Sequence, residues 1–96
     1  MTIITTRKQL IVQQYTLLRN EVMKTNLIKE DLFPSLEEIS ITDLVFFMQM
    51  SFPDSNKYPE AIIDLLEGHD VFLKPKQQVQ IINIITPFLL FFQKIT

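Results

Sequence analysis

Two sets of side chains in this 96-residue chain have types that could do chemistry. Ser55, His69 and Asp70 supply a hydroxyl, an imidazole and a carboxylate, the parts of a nucleophilic triad. Glu37 with Glu38, and Glu30 with Asp31, are adjacent acids that could divide acid and base roles. Neither set has the spacing its chemistry needs. Nothing puts Ser55 on a sharp strand-to-helix elbow, and neighbours in sequence such as His69 and Asp70 do not normally face each other. Paired acids work as catalysts only where burial or mutual repulsion separates their pKa values. These pairs fall in loops and near helix starts, where solvated acids are expected.

Other chemistries are excluded by residue counts. His69 is the only histidine and there is no cysteine, which leaves no zinc ligand set, no disulfide and no thiolate nucleophile. With one glycine, Gly68, no glycine-rich phosphate loop can form. No calcium-loop spacing is present. The sequence therefore predicts a non-catalytic protein with no cofactor and no metal site.

The charge pattern narrows the partners. Residues 1–29 carry five basic side chains and one acidic, residues 30–70 carry ten acidic and one basic, and residues 71–96 carry three lysines and no acid. A strongly acidic middle repels phosphate, so sequence-specific nucleic-acid binding is not expected there. Phe46, Phe47, Phe88, Phe91 and Phe92 are not interleaved with lysines, so they do not form a base-stacking platform. No secretory leader opens the chain, which is read as intracellular. The apolar run Val79–Phe92 spans about 21 Å as a helix, short of a bilayer, so no membrane is expected.

The elements that would position any site are helices. An apolar fraction of 47% suffices for one core, and so little glycine argues against tight strand turns. A single all-helical domain over residues 1–96 follows, either a whole small protein or a fragment of a longer one. Thr6-Arg7-Lys8-Gln9 has the spacing of a capping box, opening a helix to about Lys24. Ile11, Tyr15, Leu18 and Val22 share its inner face, Leu10 and Leu17 widen it, and Arg19, Asn20 and Lys24 point away. Ser35-Leu36-Glu37-Glu38 is a second box and Ser40-Ile41-Thr42-Asp43 a weaker third. A helix from about Ser40 to Ser51 is expected, closed by Pro53-Asp54-Ser55-Asn56. Pro59 suits the start of a third helix with Ile62, Leu65 and Leu66 inward, and Gly68 suits the C′ position just past its end. Pro75 opens a fourth with Val79, Ile82 and Ile85 inward, and Pro87 is expected to kink or break it. About four antiparallel helices result, as a small bundle or as a repeat of the HEAT or ARM kind.

The run Pro87-Phe88-Leu89-Leu90-Phe91-Phe92 is apolar all round a helix and needs cover on every side. Phe88, Leu89, Phe91 and Phe92 are the candidate interface, toward further helices, a second copy or another protein.

Taken in order, these segments resemble a known family. Val12-Gln13-Gln14-Tyr15 is similar to the "LQQY" helix of the Sda-type nucleolar proteins, named for severe depolymerisation of actin. Asp43-Leu44-Val45-Phe46-Phe47-Met48-Gln49 resembles their "ELVxFLAQ" segment. Tyr58-Pro59 through Ile63-Asp64-Leu65-Leu66-Glu67 and His69 resembles "FPxxLIDLLKEHH", and Leu73 with Pro75 resembles "LxPxLR". The likeness covers about residues 7–85. It departs afterwards, where the family has a basic turn and this chain has Leu89–Phe92. It implies the N-terminal part of a HEAT-like scaffold for large-ribosomal-subunit assembly, nucleolar or nuclear, with pre-ribosomal particles as partners. Without it, the residues imply a small helical protein that self-associates through its C-terminal helix.

Overall fold

The computed structural model describes residues 6–28 and 32–95, which are helical or irregular with no strand among them. The first helix, α1 (Arg7–Lys24), begins at the expected capping box. The Gln9 amide donates to Thr6 Oγ1 at 3.1 Å, and the Thr6 amide to Gln9 Oε1 at 2.9 Å. Two donors that a helix start leaves orphaned are thus satisfied reciprocally. Ile11, Tyr15, Leu18 and Val22 form its buried face, as their spacing predicts. Leu17 instead points to solvent and Leu10 is half-buried, because four residues at helical spacing already fill the contact. Asn26 stops the helix in the left-handed region at φ 57°, which its short polar side chain tolerates.

Leu32 and Phe33 are buried, and two long-range bonds hold this segment on α1. The Tyr15 hydroxyl donates to the Pro34 carbonyl at 2.7 Å, and Arg19 Nε donates to the Phe33 carbonyl at 2.9 Å. Arg19 is therefore half-buried rather than pointing away. The carbonyl of Ser35 closes one turn by accepting from Glu38 and Ile39. No helix follows it. The backbone returns to extended geometry at Ser40, whose side chain accepts from the Asp43 amide at 3.1 Å and caps α2 (Ile41–Ser51). The weaker of the two boxes is the real cap.

After buried Phe52, the Asp54 carboxylate accepts from the Asn56 amide at 2.9 Å, setting a short 3-10 turn over Ser55–Lys57. It leads into α3 (Tyr58–Gly68), with Pro59 in the first turn and Tyr58, Ile62 and Leu66 buried. Phe52 and Tyr58 meet edge to face at 6.4 Å. The expected role of Gly68 is corrected at the far end. Gly68 is the last helical residue, and the left-handed residue is Asp70, at φ 61°. The Val71 amide reaches back to the Leu66 carbonyl at 2.8 Å and the Asp70 amide to Glu67 at 3.0 Å, the paired bonds of a Schellman ending.

The last helix, α4 (Pro75–Ile95), is continuous through Pro87. Of the kink or break expected there, the break does not occur, and solvent offsets part of the cost. Proline removes the bond to the carbonyl four residues back, that of Asn83, and both Asn83 and Pro87 lie on the exposed side, where water can satisfy it. The buried stripe is Ile81, Ile85, Leu89 and Phe92, whereas Val79 is exposed and Ile82 half-buried. Helix α4 packs along α1 and α3, α1 also meets α2, and the most extensive of these contacts joins first helix to last. All four helices contribute to one core.

Candidate functional site

The triad parts are kept apart. Ser55 lies before α3 and His69 caps its far end, and a helix of eleven residues between them is about 16 Å long. Ser55, His69 and Asp70 are all exposed, as are Glu37 and Glu38. Glu30 and Asp31 lie outside the described residues. Among the described residues, no three His, Cys, Asp or Glu side chains come together to hold a metal ion.

The expected interface on α4 is half covered by the fold itself. Leu89 is 2% exposed and Phe92 4%, so these two face the core and cannot also meet a partner without unfolding the helix from it. Phe88 and Phe91 are half-buried, and Phe91 stands edge to face with Phe92 at 6.4 Å. Leu89 and Phe92 belong, with Ile81 and Ile85, to the stripe that α4 turns to the core. As a 21-residue helix α4 extends about 31 Å, and it is long and apolar enough, by length and composition, to cross a bilayer.

On α2 two large apolar side chains lack cover. Seven of its eleven residues are apolar, yet only Leu44 and Met48 are buried. Phe46 is 64% exposed and Met50 66%, one turn apart on the same ridge. Beside that ridge runs an open groove of about 1040 Å³ between the first half of α1, the 36–40 turn and α2. Ile11, Val12, Leu36, Ile39, Val45 and Phe46 give it an apolar lining, and Arg7 and Lys8 stand at its rim. A helix with apolar residues on most sides is stable only when most sides are covered. An exposed apolar surface rimmed by polar groups marks an interaction site.

No family model, curated protein or solved structure matches this chain.

Sequence reasoning placed Val45 and Phe46 on a helix but did not bring them to Ile11 and Val12. A signal was present. Helix α2 has apolar residues at Ile41, Leu44, Val45, Phe46, Phe47, Met48 and Met50 with Asp43 as its one charge, the same all-round pattern that drew attention to α4.

The titration of the tyrosines follows from burial. Desolvation pushes the Tyr15 phenol far above its ordinary value, against the pull of Arg19. Tyr58 is raised too, by burial first and then by the nearby Asp54 carboxylate. Tyr15 sits in a fixed hydrogen bond to a backbone carbonyl, and that arrangement orders a loop.

Proposed function

We propose that this chain is a non-catalytic helical interaction module whose docking surface is the α1/α2 groove with the Phe46–Met50 ridge beside it. The observation that carries the reading is the Phe46–Met50 ridge, 64% and 66% exposed, beside an apolar groove. Taking one such aromatic out of water is worth roughly 1.5–3 kcal/mol, which rewards a partner that covers it. The α1–α4 contact favours a small closed bundle over an open repeat, in which each unit touches only its neighbours.

A second reading is a scaffold in large-subunit assembly. Its support is that the four Sda-like segments fall in order on α1, α2, α3 and the entrance of α4. Pre-ribosomal particles would then be the partners, in the nucleolus.

A photo-crosslinking residue in place of Phe46, compared with the same residue in place of exposed Glu67 on α3, tests both. Adducts at position 46 and not at 67 support the groove, and pre-ribosomal proteins among them support the scaffold. Equal labelling at both positions overturns the groove reading.

A further inference from the structure

We infer that the occupant of the α1/α2 groove is a second copy of this chain, in a two-fold dimer built on α2. The inference rests on the reading of the groove as a docking surface and adds what docks there.

Helix α2 is at once a wall of the groove and the carrier of the exposed ridge. Val45 and Phe46 line the groove, and Phe46 and Met50 project from it. A surface that holds both knob and hole is self-complementary, which is the condition for an interface in which each copy uses the same patch. A two-fold axis beside α2 puts each Phe46 against the other copy's half-buried Val12, Leu36 and Ile39.

The charges agree with that arrangement. The rim residues Arg7 and Lys8 are basic, whereas α2 has Asp43 as its one charged residue, and Glu37 and Glu38 precede it. The one ion pair among the described residues is Lys24 with Glu21, so none of these five charges is paired with another described residue. In the dimer each basic rim meets the acidic approach of the other copy.

Spacing points the same way. Asp43 and Phe46 are three residues apart on α2, and Lys8 and Val12 four apart on α1, so each charge stands about one turn, ~5 Å, from its apolar neighbour. One seating of α2 can bury the aromatic and approach the basic pair together.

Sedimentation equilibrium of the full chain, from low micromolar to submillimolar concentration, tests the dimer. A reversible dimer is expected, and Phe46→Glu should weaken it roughly a hundredfold to ten-thousandfold, since one buried aromatic is lost from each copy. Because Phe46 is 64% exposed, the helical circular dichroism should not change. Arg7→Gln with Lys8→Gln should also weaken the dimer and flatten its salt dependence. A wild type that stays monomeric throughout overturns the inference, as does a dimer indifferent to Phe46→Glu. Crosslinks from position 46 to other proteins in a monomeric chain would discard the copy while leaving the docking surface standing.

Discussion

Tyr15 donates its hydroxyl proton to the carbonyl of Pro34, nineteen residues away, at 2.7 Å. The bond ties the loop that ends at Ser40 to the middle of α1, and so fixes where α2 starts and how wide the groove is. The ring itself is 0% exposed. Tyr15→Ala should cost about 2–5 kcal/mol, the usual range for emptying a core site. Tyr15→Phe should cost about 1 kcal/mol, leaving the Pro34 carbonyl without its donor.

The same burial predicts an alkaline limb. The folded-state pKa of Tyr15 is raised well above the ordinary 10.0, so the stabilisation is fully present below pH 10. It is lost as pH rises beyond that, since the unfolded chain releases the phenolic proton first. Tyr58 acts in the same direction. Urea midpoints between neutral pH and the alkaline range should fall for wild type and fall less for Tyr15→Phe. An unchanged slope in the variant would refute the assignment.

Arg19 is the second tie between α1 and that loop. From spacing alone its replacement should hardly matter, since it belongs on the outer side of the stripe. The Nε bond to the Phe33 carbonyl at 2.9 Å changes that expectation. Arg19→Ala should destabilise by about 1–2 kcal/mol in thermal melts, and Arg19→Lys should not restore it, having no Nε at that reach. A neutral Arg19→Ala would mean that the bond contributes nothing.

What could be read from the sequence depended on whether a polar face fixed the helix phase. On α1 the residues between Ile11, Tyr15, Leu18 and Val22 are largely polar, so the inner face was legible, and the Thr6 box fixed its start. On α4, Ile81, Ile82, Ile84 and Ile85 are apolar on both sides of the axis. Periodicity alone then fits Val79, Ile82 and Ile85 as well as Ile81, Ile85 and Leu89, and only packing against the other helices decides. The choice of Ser40 over Ser35 as a cap was hidden for a similar reason. It depends on Tyr15 and Arg19 holding Pro34 and Phe33, a contact across the chain. The groove was hidden because its two walls lie about thirty residues apart.

The end of α3 offers a paired test of backbone conformation. Gly68 is helical, and a Cβ there meets nothing within 4 Å. Gly68→Ala should therefore stabilise by about 0.5–1 kcal/mol. Asp70 has φ 61°, so Asp70→Gly should also stabilise, by up to ~1 kcal/mol, through relief of left-handed strain. Opposite signs in chemical denaturation would place the left-handed residue at 68 instead.

Within α4, Thr86 buries its hydroxyl without a hydrogen-bond partner. A buried polar atom left unpaired costs about 1–3 kcal/mol, whereas an apolar group of the same shape costs nothing comparable. Thr86→Val should raise the melting temperature. A fall would show that the hydroxyl is bonded in solution.

The sharpest separation between the two ends of the surface argument comes from Phe91 and Phe92. Adjacent residues on a helix point about 100° apart, so one can be core while the next is not. Phe92 is 4% exposed and Phe91 is half-buried. If the C-terminal helix were the contact surface, replacing either ring with serine would loosen association and leave the fold intact. In this fold, Phe92→Ser removes a core side chain that stands with Leu89 on the buried stripe, and should cost about 3–5 kcal/mol. Phe91→Ser should cost distinctly less, because part of its ring is already in water. Neither should change the oligomeric state at concentrations where the variant is folded, since the ridge that lacks cover is Phe46 and Met50. Melting temperature and sedimentation on the same samples decide it. A Phe92→Ser variant that melts like wild type but has lost a dimer would return the interface to α4 and set α2 aside.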